Sequence, residues 1–349
     1  MRCFSFSYLL DKKYDLDILK YISLIHEAKG RQQLFLKQKA VVLDRLIEIA
    51  KIQSTQASNE IEGIRTTQTR IKQLVEERTA PRDRAEKEIS GYRDALNVIH
   101  ESFENIPLTP NYILQLHKIL YSHVEEDFGG KFKNVQNYIK ATRTDGHEFI
   151  LFTPIEPFAT NDAMRYLCDS FNIAIGEGRI DPLILIPIFI HDFLCIHPFI
   201  DGNGRMSRLL TTLLLYRNGY FIGRYISLEN KIEKTKDYYF DALEKAQDGW
   251  HENQEDAMPF VMYLLGVVLS AYRDFEDRVD LVDDKLPVIK TVRNAVKQQI
   301  GKFRKSDILE YCSSISTSAI ERALKDLCDK QEIEKLGGGR STYYVRKNI

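Results

Sequence analysis

Residues 197–210 read HPFIDGNGRMSRLL and lie between two apolar segments that each have the character of buried helix. At Gly202-Asn203-Gly204 a loop becomes a helix, and two glycines let the backbone curl until successive N–H groups converge on one point. Such a nest, reinforced by the positive end of the helix dipole, takes phosphate. Arg205 and Arg208 follow at i and i+3, so they share a helix face and can reach further phosphates of the same ligand. Asp201, just ahead of the nest, is a hard oxygen ligand suited to Mg²⁺ bridging two phosphates. His197, four residues earlier, is the side chain type that accepts a proton near neutrality. A base, a metal ligand and a phosphate cradle in one loop describe transfer of a phosphorus-centred group to a hydroxyl. Each part alone has an ordinary reading: a histidine before proline is usually a loop or core residue, and glycines around asparagine usually make a turn. The ordered set is far more specific than its parts.

Outward from this loop, helical periodicity dominates. Apolar residues recur three and four apart over 30–52, 66–78, 84–100, 111–124, 158–176, 182–196, 205–218, 234–246 and 257–277, which predicts a bundle of amphipathic and buried helices. Between 126 and 157 the pattern breaks, and HEFILF (147–152) reads as the arm of a short hairpin after a turn at Asp145-Gly146. The acidic stretch from Asp274 to Asp284 reads as the end of this region and a linker. After it, TVRNAVKQQ, KSDILEYC and STSAIERALKDLCDKQEIEKLGGGRSTYYV predict three short helices, the third capped by Ser316 or Thr317, and then a two-stranded wing with Gly337, Gly338 and Gly339 at its tip. This resembles a winged helix-turn-helix domain. No internal repeat is evident.

The chain of 349 residues can hold two or three domains, and its formal charge of −1 gives the whole no attraction for nucleic acid or an anionic membrane. The balance is uneven: from Leu286 onward thirteen lysines and arginines face seven aspartates and glutamates, an excess of +6 that leaves −7 on the remainder. The five cysteines (Cys3, Cys168, Cys195, Cys312, Cys328) are odd in number and widely spaced, which argues for reduced thiols and against a disulfide framework or zinc site. The N-terminus has no leader-like apolar stretch, and the longest apolar runs, LILIPIFI and VMYLLGVVLSAY, fall short of the roughly 20 residues of a membrane span. The expectation is a cytoplasmic protein with no membrane partner.

HPFIDGNGRMSR resembles, without gap or departure, the Fic-family signature HxFx(D/E)GNGRxxR, and the resemblance extends in element order from about residue 50 to 275. The fold it implies is mainly α: a Fic-type helical core with a short β-hairpin flap, here followed by the small C-terminal winged helix domain. The corresponding division is a helical N-terminal region over 1–110 with an inhibitory helix near 54–63, a catalytic core over 111–277 and the winged helix over 286–349. The activity implied is transfer of AMP from ATP to a Ser, Thr or Tyr hydroxyl of a protein target, with self-modification within its scope. His197 would be the base, Asp201 would hold Mg²⁺, Gly202, Asn203 and Gly204 would cradle the phosphates, and Arg205 and Arg208 would hold the β- and γ-phosphates. Met206 and Ser207 belong to the same nucleotide-binding turn.

Further segments acquire roles through the resemblance. Phe149, Ile150, Leu151 and Phe152 fall where the family has its flap, which aligns the target by strand pairing. GKFKNVQNYI (130–139) resembles the family's lead into the flap but has Lys133 where arginine is usual, and FTPIEP departs from the usual double-proline ending. Tyr238, in KDYYFDAL, is the candidate adenosine contact. SNEIEGI (58–64) has Ser58, Glu62 and Gly63 in the family's inhibitory pattern (S/T)xxxE(G/N). Composition alone would make Gly63 a helix C-cap. The resemblance implies that Glu62 makes a bidentate pair with Arg208 where the γ-phosphate must sit, or that it supports removal of AMP. Competing readings are transfer of phosphate, UMP or phosphocholine, and a DNA-binding regulator whose recognition helix presents Ser316, Thr317, Ser318, Arg322 and Lys325 alongside Glu321, Asp326 and Asp329. A homodimer is compatible with the helical surface, though no particular residue motivates it.

Overall fold

The computed structural model describes residues 4–38, 40–142, 147–280, 288–299, 301–312, 315–339 and 342–347. The first of its helices are α1 (Leu16–Gln38), α2 (Ala40–Ile61), α3 (Gln68–Val75), α4 (Arg84–Ser102) and α5 (Pro110–Leu120). A hairpin follows, β1 (Ile139–Thr142) with β2 (Glu148–Phe152). Then come α6 (Pro157–Glu177), α7 (Pro182–Ile196), α8 (Asn203–Arg217), α9 (Leu228–Lys234), α10 (Lys236–Gln247) and α11 (Met258–Asp280). The starts are set by local chemistry. Thr67, Asp83, Thr109, Asp181 and Ser227 each accept a hydrogen bond from a first-turn N–H, and Pro110 and Pro182 take the first helical position, where no N–H partner is needed.

Helix α7 is apolar on every side and buried along almost its whole length, so it forms the axis of the bundle, with α6, α8 and α11 packed around it. Helix α1 lies along α11, and α2 lies between α4 and α9. One hydrophobic cluster runs from Phe4 to Val279, so the N-terminal helices and the later ones share a single core.

Several elements differ from the sequence expectation. The single helix expected over 30–52 is two, α1 from Leu16 and α2 from Ala40, and α2 runs on through the inhibitory segment expected as a helix near 54–63 as far as Ile61, where Ser54, Thr55, Ser58 and Asn59 are polar yet buried. The helix expected over 234–246 is α10, and a further helix not expected, α9, precedes it and ends at Thr235, whose hydroxyl turns back to the carbonyl of Lys231. The acidic stretch expected to be a linker is helical as far as Asp280, since Asp274 pairs with Arg278 and Lys231. The turn at Asp145-Gly146 and residues 281–284 lie outside the described residues, as does Cys3; the hairpin register runs from Ile139 opposite Phe152 to Thr142 opposite Glu148. Cys168, Cys195, Cys312 and Cys328 are free thiols. The apolar run VMYLLGVVLSAY lies within α11, which among the described residues is the one helix with the length and composition to cross a membrane, and it packs against α1, α7 and α10.

The C-terminal unit comprises α12 (Val288–Lys297), β3 (Lys302–Phe303), α13 (Lys305–Tyr311), α14 (Thr317–Asp329), β4 (Ile333–Leu336) and β5 (Tyr343–Arg346), with its own core around Val292, Phe303, Ile308, Leu324 and Tyr344. Ser316 caps α14. The sheet has three strands in the order β3-β5-β4, not the two expected. The extra strand is only two residues long, too short for an alternating pattern to announce it. This unit meets the bundle at Glu310, which accepts from Gln53 of α2 (2.5 Å) and lies 3.8 Å from Arg278 of α11.

Candidate active site

Helix α7 ends at His197, whose backbone is left-handed (φ 50°, ψ 59°) and therefore strained for a residue with a side chain, by roughly 1 kcal/mol. That reversal starts the loop joining α7 to α8. Asn203 closes it from within, accepting from the N–H of Phe199 (2.9 Å) and donating to the same residue's carbonyl (2.8 Å). Asn137 closes it from outside, donating to the carbonyls of His197 (3.1 Å) and Phe199 (2.9 Å). His117 stacks on the Phe199 ring at 3.7 Å and contacts the Asp201 carbonyl at 3.0 Å. Since the N–H of Gly130 donates to His117 Nδ1, the imidazole proton is on Nε2, and burial holds this histidine's pKa down to about 4.

The loop thus reaches α8 beside a cleft of about 440 Å³, which Gly204 lines. Gly202 has φ 84°, and a Cβ there would crowd the Tyr121 hydroxyl at 2.9 Å. His197, Gly204 and Arg208 line the cleft, together with Glu62 from the turn after α2, Leu151 from β2, Ile139, Lys140 and Ala141 from β1, and Tyr239, Phe240 and Leu243 from α10. His197 Nδ1 is 3.1 Å from the carbonyl of Leu194; a carbonyl only accepts, so Nδ1 carries the proton and Nε2 keeps its lone pair. Burial lowers the His197 pKa to about 4, with Lys133 acting in the same direction, so the ring is neutral and able to take a proton at physiological pH.

The two arginines are placed differently. Arg205, 1% exposed, turns away from the cleft into an ion pair with Glu88 (2.7 Å) and a hydrogen bond to the Tyr121 hydroxyl (2.7 Å). Arg208 lies in the cleft wall, donating from Nε to Ser58 Oγ (2.8 Å), and from its NH2 nitrogen to the Ser58 carbonyl (2.8 Å) and to Glu62 Oε1 (2.7 Å). The pair with Glu62 uses one carboxylate oxygen, not the bidentate fork expected, because Ser58 occupies the Nε side. The Glu62 carboxylate lies directly against Gly204: a Cβ on that glycine would collide with it. Gly63 (φ 80°) and a hydrogen bond from Lys236 to the Ile61 carbonyl (2.7 Å) fix this helix end.

Other expected site residues lie elsewhere. Tyr238 is 72% exposed and faces solvent; the tyrosine on the cleft is Tyr239, which shares a buried stripe with Ala242 and Ala246. That three-and-four spacing was the available signal. Of the flap residues only Leu151 lines the cleft. Phe152 is turned inward onto His251 and Trp250, and Phe149 and Ile150 are exposed. Met206 and Ser207 are buried behind the nest, with Ser207 Oγ donating to the Gly204 carbonyl. Asp201 stands at the nest with its side chain half exposed, one oxygen accepting from the Gly202 N–H at 2.6 Å. Among the described residues no group of three or more His, Cys, Asp or Glu side chains could hold a metal. A single half-exposed carboxylate beside a phosphate nest does fit Mg²⁺, which keeps waters and substrate oxygens as its other ligands.

Fold and loop together define a helical domain whose central helix hands over to a glycine nest with a histidine at its lip. Residues 107–215 match the Fic/DOC family, and the chain carries a Fic/DOC-family domain. It is 29% identical over 318 residues to the protein adenylyltransferase Fic of Drosophila melanogaster, an alignment covering 87% of this chain and 56% of that protein. It is 30% identical over 247 residues to the protein of the same name from Drosophila willistoni, covering 70% of this chain and 43% of that one. The chain thus spans about half the length of the curated relatives it matches. In fold it is similar to a Fic family protein from Desulfovibrio desulfuricans G20, at a TM-score of 0.64 and 22% identity over 97% of this chain and 98% of that one. It is also similar to Fic-1 from C. elegans, at 0.60 and 21% over 74% and 72%.

Proposed function

We propose that this chain is a protein adenylyltransferase that transfers AMP from ATP to a protein hydroxyl and is held in check by Glu62. The observation that carries the reading is the convergence of a neutral His197, the Gly204 nest and Arg208 on one cleft, with the Glu62 carboxylate lying across the nest. In the reaction the target oxygen bonds to the α-phosphorus, the bond from that phosphorus to the bridging oxygen of pyrophosphate breaks, and the hydroxyl proton passes to His197 Nε2. Arg208 and the first amides of α8 would hold the β- and γ-phosphates, orienting pyrophosphate to leave. Asp201 would hold Mg²⁺, which supplies charge neutralisation across the phosphates. Tyr239, Phe240 and Leu243 offer the apolar wall suited to adenine, and the β1–β2 hairpin offers an edge on which a target segment can lie. With Glu62 in place the γ-phosphate is kept from Arg208. The free thiols accord with a cytoplasmic location.

The test is incubation of wild type, Glu62→Gly and His197→Ala with Mg²⁺ and ATP labelled at either the α- or the γ-phosphate. Strong α-label in Glu62→Gly, weak in wild type and absent in His197→Ala is the expected result; γ-label would make the protein a phosphoryl-transfer enzyme instead. A second reading is favoured by one feature of the C-terminal unit, which we read as a winged helix: Arg304, Lys305, Lys325 and Lys335 line a cleft of about 630 Å³ with Glu321 as the one acid among the described lining residues. Such a surface suits DNA, and a salt-dependent mobility shift with duplex DNA tests it.

A further inference from the structure

Lys133 is 3% exposed, and Glu156, the carboxylate whose charge acts on its ammonium, makes no contact ion pair with it among the described residues. A buried cation whose nearest opposite charge is not in contact is expensive, so hydrogen bonds must hold it there. Its Nζ donates to the carbonyl of Ile196 (3.1 Å) and to Asn137 Oδ1 (2.8 Å), and its own N–H donates to the carbonyl of Pro198 (2.8 Å). Ile196 is the last residue of α7, so the ammonium sits at the negative end of that helix and satisfies a carbonyl left without an intrahelical partner. Asn137, oriented by Lys133, carries the contact on to the carbonyls of His197 and Phe199. Four consecutive carbonyls, 196 to 199, are thus gripped by two side chains and one amide from the segment leading into the hairpin.

We propose that Lys133 is a positioning residue that, through Asn137, clamps the end of α7 so that His197 keeps its left-handed backbone and presents Nε2 to the reacting hydroxyl. The inference rests on the adenylyl-transfer reading of the cleft. It also accounts for lysine at a position where the family resemblance makes arginine usual: either cation can cap the helix end, but an apolar side chain cannot. Burial holds the Lys133 pKa to about 8, so the group is charged at neutral pH. Without the clamp the strained residue at 197 is free to relax, and a shift of about 1 Å in a reacting group costs on the order of a hundredfold in rate.

The experiment compares Lys133→Met and Lys133→Arg in the Glu62→Gly background, measuring kcat and KM for ATP by α-label transfer, the melting temperature, and the ¹⁵N resonances of the His197 ring, assigned with His197→Gln. Expected for Lys133→Met are a fall in kcat of about tenfold or more, a KM for ATP that stays within about twofold, and loss of the single Nδ1–H tautomer, with Lys133→Arg recovering most of all three. Unchanged kcat and an unchanged ring spectrum in Lys133→Met would overturn the clamp. So would a loss of kcat that merely follows a lowered melting temperature and is not recovered by arginine. If the ring resonances move as expected but no variant transfers label, the clamp on His197 stands and the transfer reading fails.

Discussion

Replacing Glu62 with glycine should make the empty protein less stable and the stabilisation by bound nucleotide larger. Arg208 is 3% exposed and holds three contacts, two to Ser58 and one to Glu62. A hydrogen bond between charged groups is worth about 1.5–3 kcal/mol. The Glu62 side chain is 36% exposed, so water replaces part of it, and the loss falls to about 1–2 kcal/mol. For a chain of this size that is a drop in melting temperature of a few degrees, about 2–4 °C per kcal/mol. With ATP the sign reverses, because a γ-phosphate oxygen can take the vacated place on Arg208. A charge-assisted bond of about 1.5–3 kcal/mol corresponds to a roughly 10- to 150-fold gain in affinity. At a concentration that is 100-fold above the variant's Kd the nucleotide stabilises by about 2.7 kcal/mol, and at the same concentration wild type should gain much less. Thermal unfolding of both proteins with and without Mg²⁺-ATP measures all four quantities. If the variant is as stable as wild type when empty and its ATP-induced shift is no larger, Glu62 is not what separates Arg208 from the nucleotide.

Other predictions follow from burial. Tyr239→Ala should cost about 3–5 kcal/mol and weaken ATP binding, whereas Tyr238→Ala should stay within about 0.5 kcal/mol and leave binding intact, as urea unfolding and nucleotide titration will show. Burial holds His100 to a pKa of about 3 and His197 to about 4, against 6.5 for a free side chain. The unfolded chain therefore takes up protons first, so the stability these rings contribute is fully present above 6.5 and is lost as pH falls through the interval towards 3, at about 1.4 kcal/mol per unit per group. Urea midpoints between pH 7 and pH 4 should show that slope, and His100→Gln should flatten it. Glu310→Ala removes the acceptor shared by Gln53 and Arg278, and should raise hydrogen exchange in α13 by about fivefold while leaving the cleft residues unchanged.

How much of this was legible in the chain depended on whether a residue's role is local. His197, the glycine nest and Arg208 could be read from one stretch because a loop-to-helix handover is encoded by neighbours. The caps Thr67, Asp83 and Thr109 are local in the same sense. Lys133, Asn137 and His117 could not be read so, since each acts on carbonyls sixty or more residues away in the chain, and a lone buried lysine or histidine has no pattern. The inward turn of Arg205 was hidden for the same reason: its partner Glu88 lies on α4. Tyr239 was misread as Tyr238 although the stripe with Ala242 and Ala246 was present, because the choice between adjacent tyrosines depends on which helix face meets the core. The start of α1 was missed where Gly30 and mixed polarity mask a helix that is stabilised by packing on α11.

The position of Glu62 constrains how the restraint proposed for it can be released. Helix α2 cannot leave as a body: Leu46, Ala50, Ser54, Ala57 and Ser58 are buried, and Ser54 donates to Glu229, which also accepts from Tyr92. Those contacts tie α2 to α4 and α9 and belong to the core that supports the cleft itself, so melting the helix would destroy the cleft as well. What is local is the last turn. Glu62 lies beyond the final buried residue, Ile61, and is held by Arg208, by the left-handed Gly63 and by the bond from Lys236 to the Ile61 carbonyl. Lys236 is the first residue of α10, the helix whose Tyr239 lines the cleft. On the proposed reading, a nucleotide base seated against Tyr239 and a displaced Glu62 would act on the two ends of one short contact.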